Sequence, residues 1–320
     1  MPRLRPSLFW QARREISPLA AQLLPACRDL ESAANELRWI REHVQDTPSS
    51  VPPGLRVWNL VEKRGKGVPL QYVLGTQPFG NLEIQCRPGV LIPRPETEAY
   101  TLHLATLLSQ SQHPPPHSLS ILDLCTGTGC IPLLLLHALH ASLPPTTALN
   151  IHGIDISPAA ISLARANHHQ HNPLPAPASP PLSPSHQRTL TFHQTSIFSP
   201  TLLSSLLPTL FPRSSSGLDL DLLVSNPPYI SASDFARATA RAVRNHEPRL
   251  ALRYAARWGW CRPEDVFYAR LLEIAAVLKP KRVLMEVGGM EQALRVVRMV
   301  GRFSSLLGGD GDGDGDGDGS

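Results

Sequence analysis

The sequence lacks any apolar run of about eighteen residues, the length that a helix needs to cross a membrane. It also lacks closely spaced cysteines, because its five cysteines are scattered and no CxxC pair occurs. This spacing argues against a disulfide framework and a zinc site, and it favours a reducing compartment. No dense block of Lys or Arg occurs and the net charge is +4. We therefore expect neither a membrane nor a directly bound nucleic acid as partner.

Proline, by contrast, is abundant, with 33 among 320 residues. It is concentrated at residues 114–116, 144–145 and 172–184, between segments that have the periodicity of helices and strands. These stretches are predicted to be inserted, poorly ordered loops outside the core. Three histidines border the longest insertion, and without an accompanying acid or cysteine they favour a solvated loop over a metal site: His168, His169 and His171.

The N-terminal part of the chain has the periodicity of helices. Residues 1–16 are rich in Arg and carry no acid before Glu15, which is typical of a mitochondrial presequence, with a frayed basic arm as the alternative. Residues 17–67 predict a small helical domain, which periodicity alone leaves open as a partner-docking module or a lid. Residues 68–94 contain the turn signal Gly80-Asn81 and predict a linking β-hairpin.

Residues 95–303 alternate strands and helices, as in an α/β domain with a Rossmann-like sheet. A strand leads into the glycine turn (residues 125–129), where glycines let the backbone approach a ligand closely. The next strand ends in Asp155, where a carboxylate can accept hydrogen bonds from the two ribose hydroxyls of a nucleoside. After the third strand, Ile197 is either an apolar contact for the base or an ordinary core residue.

The clamp (residues 225–229, Ser-Asn-Pro-Pro-Tyr) follows an apolar run at residues 218–224, where a buried strand ends and a ligand crevice opens. Its two prolines end the strand and fix the backbone, because neither nitrogen can donate a hydrogen bond. The Asn226 side chain and the Pro227 carbonyl offer hydrogen-bonding groups and Tyr229 offers a flat face. Together they can hold a planar NH2 group. The alternative is that the prolines close a surface loop and Tyr229 fills the core.

Such a clamp suits methyl transfer from a sulfonium. An amide or exocyclic nitrogen is a poor nucleophile because its lone pair is delocalised, so a catalyst must bind its hydrogens and aim the nitrogen at an activated electrophile. In the glycine turn's helix, Pro132 stands where a dinucleotide fingerprint has its third glycine, which leaves a pyrophosphate cradle incomplete. These two features predict S-adenosylmethionine as the cofactor, and no metal.

With these motifs the chain resembles the HemK/PrmC family of protein-(glutamine-N5) methyltransferases, in its eukaryotic organellar branch. The Pro-Glu-Thr-Glu run is similar to the release-factor enzymes rather than to ribosomal-protein glutamine methyltransferases, although we interpret Glu96 and Glu98 themselves as compensation of a helix dipole. Several motifs in the right order are more specific than any single one. The similar blocks, within residues 17–300, are 69–75, 89–98, 123–129, 155–158, 225–230 and 247–252.

The resemblance implies methylation of the side-chain amide of the glutamine in the GGQ loop of a class I peptide chain release factor, in the mitochondrion or otherwise the cytoplasm. It implies that Asn226 and the Pro227 carbonyl bind this amide, with Pro228 and Tyr229 packed beside it, and that the helical domain docks the release factor. Open alternatives are a ribosomal-protein glutamine methyltransferase, a nucleic-acid amino-group methyltransferase and an inactive, truncated S-adenosylmethionine-binding protein. The residues implied to hold the cofactor are Cys125, Thr126, Gly127, Thr128, Gly129, Asp155, Ile197 and Asn226.

The chain departs from the family pattern at three places, one of which is Ser196, where an acid is frequent. Cys125 replaces the glycine common at the start of the cofactor loop, and we expect a β-region backbone there. After a fifth strand at 281–287 and a helix at 291–300, no convincing sixth and seventh strands follow, so the C-terminal strands are expected to be missing. Residues 304–320, which contain an alternating Gly-Asp tract, are predicted to be a disordered tail.

Overall fold

The computed structural model describes residues 3–110, 116–171, 187–211, 213–214, 217–218, 220–230 and 261–307. The chain divides into two compact units, with the first boundary between Pro93 and Arg94. The block at 247–252, nearly all of two proline-rich stretches and most of the predicted tail lie outside the described residues. No helix within the described ranges is both long and apolar enough to cross a membrane.

The first unit is a group of helices followed by an antiparallel hairpin. Its elements are α1 (Pro6–Glu15), α2 (Pro18–Cys27), α3 (Leu30–Asp46), α4 (Pro53–Gly65), α5 (Leu70–Leu74), β1 (Thr76–Phe79) and β2 (Leu82–Gln85). Side-chain caps start two of the helices. Ser17 Oγ accepts a hydrogen bond from the Ala20 amide at 3.2 Å before α2, and Asp29 Oδ1 accepts one from the Ser32 amide at 2.7 Å before α3.

The helices of this unit share one apolar core, in which Leu24 is fully buried. A half-buried ion pair joins α4 to α3, with Arg64 Nε donating to Glu36 Oε2 at 2.6 Å. Helix α1 belongs to the same core, because Ala12 is completely buried within it. The interpretation of residues 1–16 as a frayed arm is therefore wrong, while the presequence stays a prediction.

The second unit is an α/β domain built on a parallel sheet in the order β5-β4-β3-β8-β9. Its helices are α6 (Pro95–Gln110), α7 (Cys130–Ser142), α8 (Pro158–His171), α9 (Leu207–Leu210), α10 (Val266–Leu278) and α11 (Met290–Leu307). Its strands are β3 (Ser118–Leu124), β4 (Ala148–Asp155), β5 (Arg188–Gln194), β6 (Arg213–Ser214), β7 (Gly217–Leu218), β8 (Leu222–Ser225) and β9 (Arg282–Met285). Strand β8 is buried throughout, as expected for a strand covered on both faces. The Rossmann-like α/β fold predicted from the sequence is confirmed.

The order of the sheet reverses at β3. From there the chain moves outward to β4 and β5 on one side, and later returns to β8 and β9 on the other. In sheets of this kind, ligands bind in the crevice at the carboxyl ends of the two strands where the order reverses. The ends of β3 and β8 are therefore the place where the fold predicts a site.

The proline-rich segment at 144–145 is anchored. The guanidinium of Arg188, at the start of β5, donates hydrogen bonds to the carbonyls of Leu143, Pro144 and Thr147 at 3.2, 2.6 and 3.3 Å. These bonds satisfy a buried cation and fix the turn between α7 and β4. The prediction of a poorly ordered loop is wrong for this segment.

The three histidines beside the longest insertion lie in the last turn of α8, so the predicted solvated loop is wrong there. His168 is half-buried, and its ring lies edge-to-face against Phe192 with 6.3 Å between the centroids. Among the residues that the structure describes, no group of His, Cys, Asp and Glu is arranged to hold a metal ion.

Strand β9 is the outermost strand on its side of the sheet, and no sixth strand pairs with it within the described ranges. Its Val283 is 43% exposed, and Leu294 and Val297 on α11 are also exposed. Helix α11 continues to Leu307, so the disorder predicted for residues 304–307 is wrong.

Candidate active site

Three segments that the sequence predicts for the site meet at one edge of the sheet. In the parallel register, Leu124 at the end of β3 lies beside Ile154 of β4 and beside Ser225 of β8. The Ser225 hydroxyl donates a hydrogen bond to the Leu124 carbonyl at 2.6 Å, which ties the two strand ends together. The glycine turn, the acidic end of β4 and the clamp therefore leave the sheet side by side.

The glycine turn requires a left-handed backbone at both of its glycines. The φ angle is +56° at Gly127 and +77° at Gly129, and residues with a Cβ adopt such angles only at a cost. A Cβ at Gly127 would meet nothing within 4 Å, whereas one at Gly129 would lie 3.0 Å from both Ala164 and Phe192. Gly127 thus leaves space for a ligand, and Gly129 lets α7 start close to α8 and β5.

Cys125 also has a left-handed backbone, with φ +65°. The β-region conformation expected for this residue is therefore wrong. Its side chain packs against the apolar cluster that contains Leu124 and Phe267. Burial raises the pKa of its thiol well above the usual value, so the thiol remains protonated.

Asp155 is bonded to the glycine turn. Its carboxylate accepts hydrogen bonds from the Gly127 amide at 2.9 Å and from the Ser157 amide at 2.8 Å. Burial raises the pKa of this carboxyl above its ordinary value, against the amide bonds, which favour the charged form. Each carboxylate oxygen has two lone pairs, so the group can accept further hydrogen bonds from ribose hydroxyls.

A second carboxylate, Asp123 on β3, is fully buried. Its oxygens lack a well-formed hydrogen bond to the described residues, and burial raises the pKa of the carboxyl to about 8, although the nearby Thr126 hydroxyl favours the charged form. A buried carboxylate in this state is costly, and a cation on a bound ligand removes much of that cost. The ammonium and sulfonium groups of S-adenosylmethionine are such cations, so the residues present fit this cofactor.

The clamp presents one acceptor at its start. The Asn226 amide nitrogen Nδ2 donates to Thr97 Oγ1 on α6 at 3.3 Å. The amide oxygen Oδ1 is buried and accepts no hydrogen bond from the described part of the chain. A buried acceptor in this state costs about 1–3 kcal/mol, so a ligand that brings an N–H group is favoured.

Glu286, which directly follows β9, connects the clamp to α6. Thr97 Oγ1 donates to Glu286 Oε2 at 2.7 Å, and the Tyr229 hydroxyl donates to Glu286 Oε1 at 3.1 Å. Burial and then the neighbouring Glu286 carboxylate raise the pKa of Tyr229 to about 12, so its hydroxyl keeps its proton. Gln292 on α11 donates to the Tyr229 carbonyl at 3.2 Å, so both ends of this residue are held.

Two predicted site residues also have the packing role that the sequence left open. Ile197 is buried in the apolar cluster that contains Leu124. Tyr229 is partly buried against a second cluster around Tyr268. Their contacts with cofactor and substrate stay predictions.

The structure adds four polar residues that sequence reasoning gave no role at the site: Thr97, Tyr100, Asp123 and Glu286. The Tyr100 hydroxyl is buried near the Glu286 carboxylate, and burial, followed by the charge of Glu286, raises its pKa strongly. Thr97 and Tyr100 share one face of α6, so their spacing of three residues was an available signal. The sequence gives no such signal for Glu286, because its partners Thr97 and Tyr229 lie 189 and 57 residues away along the chain.

Comparison with known proteins gives the family, although no protein-family model matches the chain. The mitochondrial MRF1 N(5)-glutamine methyltransferase of Saccharomyces cerevisiae is 36% identical over 255 residues, 79% of this chain and 68% of the yeast protein. The release factor glutamine methyltransferase of Geobacter sulfurreducens is 32% identical over 245 residues, 76% of this chain and 68% of that protein. This chain belongs to the release factor glutamine methyltransferase family.

This membership confirms the resemblance found in the sequence motifs. Another relative, the release factor glutamine methyltransferase of Pasteurella multocida, is 35% identical over 246 residues, 74% of this chain and 69% of that protein. Solved structures resemble the chain with lower sequence identity than these relatives. The human methyltransferase 10 domain containing protein has a TM-score of 0.37 and 16% identity, over 67% of this chain and 75% of that one.

Proposed function

We propose that this release factor glutamine methyltransferase transfers a methyl group from S-adenosylmethionine to the side-chain amide nitrogen of the GGQ glutamine in a class I peptide chain release factor. The observation that carries the proposal is Asn226 Oδ1, a buried acceptor that no described residue satisfies. It lies on a corner fixed by two prolines, at the end of the strand that pairs with the strand before the glycine turn. The names of the relatives support the same reaction.

The clamp makes the amide nitrogen react by orienting it. Asn226 Oδ1 and the Pro227 carbonyl accept the two N–H groups of the substrate amide, and Tyr229 packs beside it. With both hydrogens held in the amide plane, one face of the nitrogen points towards the glycine turn. When bound, the cofactor supplies a methyl group activated by its sulfonium. The clamp needs no strong base, because the nitrogen carries positive charge once it has bonded to the methyl group and then releases its proton to water.

The cofactor is assigned to the residues predicted from the sequence other than Asn226, and Asp123 is added. Asn226 is assigned to the substrate, because its Nδ2 donates to Thr97 and its Oδ1 faces the substrate amide. Asp155 binds the ribose hydroxyls, Gly127 lets the backbone approach the ligand, and the Asp123 carboxylate balances its positive charge. Thr126 and Thr128 of the same turn are buried, with their hydroxyls beside Asp123 and Cys130 respectively. Ile197 is assigned to the edge of the adenine.

The partner is assigned to the helical part of the first unit, residues 17–67, which docks the release factor. This assignment rests on the family resemblance and on exposed aromatic residues of that unit, among them Trp39 and Trp58. The mitochondrion is the proposed location, because the yeast relative is named as a mitochondrial enzyme.

The test is mass spectrometry of a GGQ peptide and of the intact release factor after incubation with enzyme and S-adenosylmethionine. The glutamine is expected to gain one methyl group.

Asn226→Ala should lower turnover by at least about 100-fold, the order seen when one preorganised hydrogen bond to a reacting group is removed. It should leave cofactor binding, measured by calorimetry, nearly intact. The matched control is Asn81→Ala in the exposed hairpin turn. Normal turnover of Asn226→Ala, or cofactor binding without any methylation by the wild type, would contradict the proposal.

A further inference from the structure

We propose that Glu286 is a positioning residue that sets which way the Asn226 side-chain amide points, acting through the hydroxyl of Thr97. The three side chains form a chain of hydrogen bonds between α6, the clamp and the end of β9. Asn226 Nδ2 donates to Thr97 Oγ1 at 3.3 Å, and Thr97 Oγ1 donates to Glu286 Oε2 at 2.7 Å.

The direction of this chain follows from what each group can donate. An ionised carboxylate only accepts hydrogen bonds, so Thr97 must use its single hydroxyl proton for Glu286. The Thr97 oxygen can then only accept a bond from Asn226, and the one donor in the Asn226 side chain is Nδ2. The amide is thereby fixed with Oδ1 on its other side, where it has no partner among the described residues.

The carboxylate that sets this direction is itself held in place. The Glu286 amide donates to the Ser225 carbonyl at 3.0 Å, which joins it to the residue before Asn226. The Tyr268 hydroxyl donates to the Glu286 carbonyl at 2.7 Å. The second carboxylate oxygen of Glu286 accepts a hydrogen bond from the Tyr229 hydroxyl.

Thr97 is fixed as well, because its own carbonyl accepts a hydrogen bond from Thr101 Oγ1 one turn later at 2.6 Å.

The inference rests on the proposed function, since the orientation matters for a substrate that brings N–H groups. With Oδ1 towards the substrate, Asn226 accepts one of the hydrogens of the glutamine amide. With the amide reversed, Nδ2 would face the substrate NH2 group, and two donors would oppose each other. The loss would fall on turnover and on binding of the glutamine, and not on binding of S-adenosylmethionine.

Glu286→Met removes the acceptor while keeping the length of the side chain. The Thr97 hydroxyl is then released to donate to Asn226 Oδ1, so kcat on the GGQ peptide should fall by about 100-fold. The dissociation constant for S-adenosylmethionine should change by less than about 2-fold, which rules out unfolding as the cause. Glu286→Gln, whose amide oxygen can still accept from Thr97, should restore part of the activity. The matched control is Glu291→Met at an exposed position of α11.

Double mutants separate the proposed route from the Tyr229 branch. In a Thr97→Val background no hydroxyl transmits the orientation, so adding Glu286→Met should lower kcat by less than about 3-fold further. In a Tyr229→Phe background it should still lower kcat by about 100-fold. The reverse pattern, a full further loss in the Thr97→Val background and none in the Tyr229→Phe background, would overturn the proposal in favour of a role through Tyr229.

Nuclear magnetic resonance tests the orientation without activity, so failure of the proposed function and failure of this inference are distinguishable. In the wild type, the Asn226 side-chain NH2 protons should show a nuclear Overhauser effect to the Thr97 methyl group, and Glu286→Met should abolish it. An effect that survives in this variant would overturn the inference, whether or not the wild type methylates the peptide. Loss of the effect in the variant, together with a wild type that lacks methylation, would support the inference and contradict the proposed function.

Discussion

The Gly127 amide donates a hydrogen bond to the Asp155 carboxylate at 2.9 Å, across the end of the sheet from β3 to β4. The two residues are 28 positions apart, yet each fixes the other. The carboxylate holds the left-handed glycine turn in shape, and the turn keeps the carboxylate facing the edge where the strands end. The glycine turn and the proposed ribose acceptor are thus one hydrogen-bonded unit.

Asp155→Asn is expected to weaken S-adenosylmethionine binding by roughly 10-fold or more. The variant replaces one acceptor oxygen by a donor, and hydrogen bonds to a charged group contribute about 1.5–3 kcal/mol each. Isothermal calorimetry measures the change. Glu62→Gln, at a half-buried position of α4 in the first unit, is the matched control. An unchanged dissociation constant would show that the ribose binds elsewhere.

Cys125→Val is expected to destabilise the protein by about 2 kcal/mol, because a β-branched residue is strongly disfavoured at φ +65°. Cys125→Gly is expected to stay within about 1 kcal/mol of the wild type, since glycine relieves the backbone strain but loses the packed side chain. Urea denaturation monitored by circular dichroism gives both values. Equal stability of the two variants would place this residue in the β region after all.

The ligand-free enzyme is expected to lose stability as pH rises, through Asp123. Its pKa in the folded state, about 8, lies above the ordinary value of 3.8. The protonated form therefore favours the folded state, fully so below pH 3.8, and this contribution is lost as pH rises towards 8. Thermal denaturation of the wild type and of Asp123→Asn between pH 5 and about 8.5 measures this contribution. The unfolding temperature of the variant should rise relative to that of the wild type as pH increases. Parallel curves would contradict the prediction.

The raised pKa of Asp123 also predicts that a proton is released when the cofactor binds. A bound cation favours the ionised carboxylate, so a proton should leave at pH 7, below the folded-state pKa of about 8. Calorimetry in buffers of different ionisation enthalpy measures the number of protons. Asp123→Asn should release none from this position.

Arg188→Met is expected to destabilise the second unit by about 3 kcal/mol, because it leaves several backbone carbonyls of the turn between α7 and β4 without their donor. Arg165→Met is the matched control, since the Arg165 guanidinium donates to a single carbonyl, that of Phe192, at 2.7 Å. It should cost about 1 kcal/mol. Urea unfolding compares the two, and equal losses would argue against an anchored turn.

The sequence predicts the sheet well because each strand carries its own signal. The apolar runs that end at Leu124 and at Val224, and the Asp that closes β4, follow from local composition and from the place of parallel strands inside a domain. Their meeting at one edge follows from the topology of such sheets. The proline motif then predicts the clamp, since two prolines must end a strand.

The errors have a different origin. The backbone conformation of Cys125 is set by the turn around it and not by the preference of a cysteine. The residue type therefore predicted the wrong region of φ. The segment at 144–145 is held by Arg188, which comes more than forty positions later. Glu286 approaches Thr97 across 189 positions. Tertiary contacts of this kind leave no periodicity in the sequence.

The register between β3 and β8 also determines the position of Asn226 relative to the glycine turn. Four paired positions, ending with Leu124 beside Ser225, decide how far the asparagine stands beyond the sheet. Each residue of a strand advances the chain by about 3.3 Å and reverses the side on which a side chain points. Deleting a single residue from β8 would therefore withdraw the amide oxygen by the length of a hydrogen bond and turn it to the opposite face. The spacing proposed between the nucleophile and the methyl donor therefore depends on the register of β8 against β3.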